Sequence, residues 1–480
     1  MPNEPSSLDR RDFIRKSAGA ALTLSAASYN RVHGANERLG IGFIGTGGRA
    51  QAHLDLIKRL REEGQPVAPV AVCDVWDGHE DEYDHEFGGK TYRRKYAQGL
   101  YPSAKKIGLN PDDRRFVTKD YRRLLELKEV DALVISTPDH WHARMTIDAA
   151  QNGKHIYCET PMTRTADEAM AVLDAITRHH VVMTVGVQAL ADPTWAMAGE
   201  AIHRGRIGHV AQAQTGVFRN DVRGQWRFYR LVREMTPQTI DWKLFLGLGK
   251  EFEVVKGTPL SPELAFDRAT FAQWRCHGSL SSGLFADAFF ASFARLTTAM
   301  NLGYPRRVTS AGGLFREHDA RSVPDVATLI ADYEEGAQVV ATASTIAGLP
   351  MDEVIRGRTG AIRFVKNGFE IIGAETETVR ADVPKNETRA LWEDFLDCVR
   401  RRDRQTLSPP ELCAAAAVAT SLGWSSYRTG QTLFWDRERR KATPADGSWA
   451  AEWERRSREE PSSELETPGY MELAGPWSDA

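Results

Sequence analysis

Residues 39 to 50 read LGIGFIGTGGRA. An apolar run ends in a glycine, turns through a second one, and enters a stretch whose Leu54, Ile57 and Leu60 share one helical face. That order leaves a chain little choice but a buried strand, a tight turn and a helix packed back on the strand. The turn has the spacing G-x-G-x-x-A at Gly45, Gly47 and Ala50. Glycines there allow the tight turn and let the backbone approach a pyrophosphate, whose charge is met by the amides at the helix N-terminus.

A glycine pattern alone is weak, so the next strand matters. PVAPVAVCD, residues 66 to 74, is a second buried strand and ends in Asp74. A carboxylate in that place accepts hydrogen bonds from ribose hydroxyls and repels a 2'-phosphate, which favours NAD over NADP. Its distance from the glycines is longer than the usual spacing of about 20 residues. FVTKD then reads as a short strand, YRRLLELKEV as a helix, and DALVIST, residues 131 to 137, as a strongly apolar strand suited to the middle of a parallel sheet. Pro138, Asp139, His140, Trp141 and His142 follow, then a helix through Ala150 closed by Gly153, and the strand HIYCE. Ligands of a doubly wound sheet lie beyond the carboxyl ends of such strands. Thr137, Pro138, His140, His142, Glu159 and Thr160 are therefore expected on one rim.

At 480 residues the chain exceeds one ordinary core, and two large domains are expected from a prior of about 150 residues per domain. Formal net charge is -3, which gives no reason to expect nucleic acid or an anionic membrane as a partner. The uncharged run from Ser17 to Asn30 is too short and too rich in Ala, Ser and Thr to span a bilayer. It follows DRRDFIRK, in which Arg10 and Arg11 stand two residues before Phe13, and it ends in small residues at Ala26 to Ser28. This is the pattern of a twin-arginine export signal, with Asp9 where Ser or Thr is more usual. That route moves folded proteins, as a protein carrying a cytoplasmic cofactor needs, so a folded, exported, periplasmic protein is expected. The five cysteines are widely spaced and mostly inside apolar runs, so buried thiols are expected rather than disulfides or a metal site.

As a set, these stretches resemble the Gfo/Idh/MocA oxidoreductases: the glycine turn with His53 after it, STPDHWHA at 136 to 143, the strand ending in CETP, VGVQ at 185 to 188, and DWKLFLG at 241 to 247. The resemblance implies an α/β fold, with an N-terminal Rossmann doubly wound parallel sheet and a C-terminal α/β domain built on a large, mostly antiparallel sheet. Runs such as HVAQAQTGVF, RVTSAGGLF, VATLIADYE, AQVVATASTI, IRFVKNG and GFEIIG, without long helices between them, agree with it. It also implies a retained NAD, a sugar or polyol substrate, and a homo-dimer or homo-tetramer. Expected cofactor contacts are Gly45, Thr46, Gly47, Arg49, Ala50, Asp74, Thr137, Pro138, His140, Glu159 and Gln188. The expected division is 1–35 for signal and linker, 36–162 for the nucleotide domain, 163–436 for the substrate domain, and 437–480 for a loose polar extension.

Two positions depart from the family. Typical members carry Glu-Lys-Pro after the fifth strand, where this chain has Glu159-Thr160-Pro161, and a helical Asp-x-x-x-His, where it has Asp287 and Ala291. Threonine donates one hydrogen bond and carries no charge. Both usual proton-handling groups are thus replaced, and losing one positioned acid or base typically costs a factor of about 100 to 10,000 in rate. His142, Asp287 and Thr160 are the expected catalytic candidates, with His140, His277 and Tyr229 as further substitutes. GQWRFYRLV at 224 to 232 and AQWRCHG at 272 to 278 combine Arg with aromatics, a means of holding sugar rings that is also ordinary packing. Three functions stay open: an NAD-dependent oxidoreductase, an NAD-using sugar enzyme with no net redox change, and a binding protein that does not turn over.

Overall fold

The structure, a computed structural model, describes residues 38–459 apart from 88, 89 and 222. The paired arginines and the run from Ser17 to Asn30 lie outside the described residues.

Strands β1 (Leu39–Ile44) and β2 (Val67–Cys73) are followed by β3 (His79–Phe87), β4 (Lys90–Gln98), β5 (Val117–Thr118), β6 (Ala132–Ile135), β7 (His155–Cys158) and β8 (Met183–Val185). All except β3 and β4 form one six-stranded parallel sheet in the order β5-β2-β1-β6-β7-β8. The order reverses between β1 and β6, and Gly45 and Ser136 leave the sheet side by side there. Residues alternate between two cores. Ile41, Phe43, Val134 and Tyr157 pack under helix Gly48–Glu62, while Ile44, Leu133, Ile135 and Ile156 pack under helices His142–Gln151 and Ala166–His179. Burial on both faces explains why these strands read as continuous apolar runs. The long spacing from the glycine turn to Asp74 comes from the 15-residue helix Gly48–Glu62.

The boundary expected at residue 162 falls inside this unit. After Pro161 the chain makes one more crossover through helix Ala166–His179, started by a capping box between Thr165 and Glu168, into β8. Helix Glu387–Arg401 then returns from far along the chain, burying Leu391, Trp392 and Phe395 against the first core. The helix expected over 121 to 130 shortens to Arg122–Glu126, because Val130 must be extended to enter the core beside β6.

Strands β3 and β4 form a separate antiparallel hairpin that the sequence reading did not anticipate. Its alternation is charged rather than apolar, with acids on one strand facing bases on the other. Arg93 pairs with Glu82 and Asp84 across it.

The second sheet contains ten strands: β9 (Val210–Phe218), β10 (Arg307–Gly313), β11 (Val326–Asp332), β12 (Gln338–Ser344), β13 (Val354–Gly357), β14 (Ala361–Val365), β15 (Gly368–Ile372), β16 (Thr376–Arg380), β17 (Leu433–Asp436) and β18 (Lys441–Pro444). Their order is β16-β15-β14-β13-β9-β12-β11-β10-β17-β18. The pair β9 and β12 is parallel and the others are antiparallel. Strand β11 buries every second residue, as a sheet with helices on one face requires, and helices Phe290–Met300 and Pro410–Thr429 supply that cover. The extension expected beyond Arg437 is instead built structure: β18 ends the sheet, and helix Ser448–Glu459 lies against it with Trp449 over Arg307. Among the described residues no helix is long and apolar enough to cross a membrane.

Candidate active site

A cleft of about 1200 Å³, counting its open mouth, lies where the ends of β1, β2 and β6 meet the second domain. Gly45, Gly47, Gly48 and Arg49 form one wall. Gly45 has φ +79, and a Cβ there would come within 2.8 Å of the Thr137 amide nitrogen, so both backbone conformation and space demand glycine. Gly47 is the N-cap of helix Gly48–Glu62. It supplies no side-chain cap, no acidic residue stands in the first turn, and a Cβ on it would touch nothing within 4 Å. The helix therefore presents free amides and the positive end of its dipole to open space in the cleft.

Asp74 closes the next corner. One carboxylate oxygen accepts from the Thr46 amide at 2.6 Å and the Thr46 hydroxyl at 3.1 Å, and the other accepts from the Trp76 amide at 2.9 Å. Burial pushes its pKa up, and these three donors act against that shift. Held this way, the carboxylate faces the cleft with lone pairs to spare. At the end of β6, the hydroxyls of Ser136 and Thr137 are buried, line the cleft, and have no protein partner among the described residues. An uncapped helix start, an anchored acid and two orphaned hydroxyls on one cleft fit a dinucleotide with free ribose hydroxyls.

Other expected contacts stand behind this wall. Thr46 and Ala50 are buried, and Glu159 is a hub beneath the glycine turn. It accepts from Arg49 at 2.8 Å, from His53 at 2.7 Å and from Gln188 at 3.3 Å. The Trp392 indole N–H reaches the other His53 nitrogen at 2.8 Å; an indole only donates, so the His53 proton sits on the nitrogen facing Glu159. Burial opposes ionisation of Glu159, but His53 and Arg49 outweigh it and hold its pKa down at about 2. Glu159 and Gln188 thus brace the turn rather than line the cleft. Helix Glu387–Arg401 reaches the turn through Trp392, a link that nothing in the local sequence signals.

The two rim histidines are structural, which corrects their expected roles. His140 is fully buried and its Nε2 donates to the Phe245 carbonyl at 2.8 Å, tying the rim to helix Trp242–Leu246 of the second domain. Burial lowers its pKa to about 3. His142 is 1 % exposed, with Nδ1 2.6 Å from the Pro161 carbonyl and Nε2 2.9 Å from the Thr137 carbonyl. Two carbonyls need two N–H donors, so the ring is a cation. Burial opposes this, but Cys158, Asp139 and the Pro161 carbonyl raise its pKa to about 10. Neither ring reaches the cleft. Asp139 is buried too, accepting from the Ser281 hydroxyl at 2.6 Å across the domain junction.

The far side of the cleft comes from the second domain and the hairpin: Tyr229, Arg230, Trp274 and Arg275, with Tyr96 and Gln98 of β4. The two Arg–Trp stretches thus split. Trp226 is buried and Arg227 binds Asp319 and Gln273, which is internal packing, whereas the later residues of each stretch face the cleft. Arg230 grips Asp81 of β3 through two bonds at 2.6 and 2.7 Å and lies over the Tyr83 and Tyr96 rings. Thr160, before the cis Pro161, is half-buried and is not among the cleft-lining residues. Asp287 lies in the π-helical turn Phe285–Phe289, so the i and i+4 register expected of Asp287 and Ala291 is broken. It bonds Arg219 at 2.5 Å. His277 has a buried, unpartnered Nε2, and it lies outside the cleft lining. Among the described residues no group of three or more His, Cys, Asp or Glu side chains is placed to hold a metal ion.

Residues 39–187 match the GFO_IDH_MocA family, described as an oxidoreductase family with an NAD-binding Rossmann fold. The levoglucosan dehydrogenase of Pseudarthrobacter phenanthrenivorans is 37% identical over 93 residues, 19% of this chain and 24% of that protein. The alpha-N-acetylgalactosaminidase of Shewanella oneidensis is 30% identical over 138 residues, 29% of this chain and 26% of that protein. The matches thus span about a quarter of either relative. A solved levoglucosan dehydrogenase, in complex with NADH and levoglucosan, has the same fold, with a TM-score of 0.55 at 17% identity over 85% of this chain and 99% of that one.

Proposed function

We propose, for a chain whose residues 39–187 match the Gfo/Idh/MocA oxidoreductase family, that it is an NAD-dependent enzyme acting by hydride transfer on a sugar or polyol, with the nucleotide retained through turnover. The observation that carries this reading is that the free helix start at Gly47, the anchored Asp74 and the aromatic and cationic side chains of the second domain open on one cleft. NAD bound there supplies a two-electron hydride acceptor.

The chain's own groups do the rest. The amides after Gly47 and the dipole of helix Gly48–Glu62 meet the pyrophosphate, with Arg49 beside them held in place by Glu159. Asp74 receives the ribose hydroxyls. Ser136 and Thr137 offer hydroxyls at the switch point, toward the reacting end. Thr160 cannot take up the substrate proton at neutral pH, and His140 and His142 are locked to carbonyls. Of the two tyrosines on the substrate side, Tyr96 is buried, and Tyr229, 37 % exposed, is the one whose hydroxyl is open to a substrate.

A second reading is favoured by the relationship to the alpha-N-acetylgalactosaminidase: chemistry on a sugar with no net redox change. One experiment separates the two. The purified protein is denatured and its released nucleotide identified, then the intact protein is given a panel of sugars and polyols while reduced-nicotinamide fluorescence and products are followed. The leading reading expects NAD in the released fraction and a fluorescence change with at least one compound. Product without lasting fluorescence change supports the second reading. Absence of nucleotide, together with no binding of added NAD, removes both.

A further inference from the structure

Five charged side chains line the cleft: Arg49, Asp74, Lys119, Arg230 and Arg275. Four have partners that account for them. Arg49 is neutralised by Glu159 at 2.8 Å, Lys119 by Asp77 at 2.8 Å and Arg230 by Asp81, while Asp74 is held by three donors. Arg275 differs. Its Nε stands 3.9 Å from Asp287, and that carboxylate already bonds Arg219 at 2.5 Å. Two guanidinium groups share one carboxylate, which leaves Arg275 without a close acid of its own.

No other acid bonds Arg275 directly. Asp139 and Glu159 are close enough to act on Arg275 through space, yet each is engaged elsewhere. Asp139 accepts from Ser281 and lies beside the His142 cation; Glu159 serves Arg49 and His53. Arg275 is also shaped for a ligand. Its guanidinium carbon lies over the Trp274 ring, 4.1 Å from the ring centre, and Nη1 is 3.5 Å from the Tyr229 hydroxyl. Nη2 has no hydrogen-bond acceptor among the described residues. An arginine over an aromatic face is attracted by the ring and keeps the fork of N–H donors along its edge for a partner. A carboxylate fits that fork through two bonds at once, where a neutral hydroxyl fills half of it and leaves the charge unmet.

We propose that Arg275 recognises a carboxylate on the substrate, with Tyr229 and Trp274 holding the sugar ring beside it, so that the substrate class is a sugar acid rather than a neutral sugar. This rests on the reading of the cleft as an NAD and sugar site.

The test is calorimetric titration of wild type with matched pairs: glucuronate, galacturonate and mannuronate against glucose, galactose and mannose, and each acid against its methyl ester. Titrations are run on NAD-loaded and nucleotide-free protein. At least one acid is expected to bind ten or more times more tightly than its neutral hexose and its ester, about 1.4 kcal/mol. Arg275→Ala should bring that ratio within a factor of two. Arg275→Lys, which keeps the charge and loses the fork, should retain part of it and serves as the test should the alanine variant fail to fold. Equal binding of acid, ester and neutral sugar, no binding of any acid, or a ratio that survives Arg275→Ala overturns the proposal. Failure of the NAD reading shows separately, as absence of nucleotide binding by wild type.

Discussion

The two walls of the cleft are made of different material. The nucleotide wall is mostly backbone: a glycine turn, a helix start and the ends of parallel strands, with Asp74 anchored by amides of its own neighbourhood. The substrate wall is mostly long side chains from elements far apart in sequence, at Tyr96, Arg230, Trp274 and Arg275. A backbone wall permits few variations, because each alternative breaks a turn or a helix start. A side-chain wall can be rebuilt one residue at a time. That asymmetry is what separate domains facing one cleft allow.

The largest predicted effect lies in the nucleotide wall. Glu159 has a folded-state pKa of about 2, below its ordinary 4.5. The ionised form is therefore favoured by folding. That contribution, on the order of 3 kcal/mol, is fully present above pH 4.5 and drains away as pH falls toward 2. Glu159→Gln should be less stable than wild type at neutral pH, and the gap should close as both are unfolded in denaturant at successively lower pH. A gap that stays constant from neutral pH to pH 3 would mean that His53 and Arg49 do not hold the carboxylate as its geometry implies.

The substrate wall should respond more gently and in the opposite direction. Combining Thr160→Lys with Ala291→His introduces the two groups that typical Gfo/Idh/MocA members carry at these positions. Turnover of neutral sugars in a dehydrogenase assay is expected to rise about tenfold, a modest part of what one positioned acid or base can supply. The gain stays modest because the π-helical turn at Asp287 displaces the histidine from the family register. No rise at all would show that the replaced groups are not what limits ordinary redox chemistry.

The same asymmetry decided what could be read before the structure. LGIGFIGTGGRA and PVAPVAVCD announce the first sheet because period, glycine spacing and terminal acid are local signals. The strand runs of the second sheet were legible for the same reason, since β10, β11, β12, β14 and β15 coincide with them. Function at the rim was not legible. His140 and His142 have the chemistry of catalysts, but carbonyls of Phe245, Pro161 and Thr137 claim them, and no local pattern gives the position of a carbonyl in another element. The hairpin of β3 and β4 was missed because charge, not apolar alternation, pairs its strands. Arg275 looked like half of an Arg–Trp stretch with an ordinary packing role. Its lack of a close acid of its own became visible only when Arg219 and Asp287 were seen together.

The central claim is that the geometry of the nucleotide wall selects NAD through Asp74, independently of the substrate wall. Nucleotide-free protein titrated in parallel with NAD and NADP tests it most directly. The prediction is binding of NAD at least tenfold tighter than NADP, about 1.4 kcal/mol, with Asp74→Ala losing most of that preference. Equal affinities, tighter NADP, or no binding of either nucleotide would contradict it.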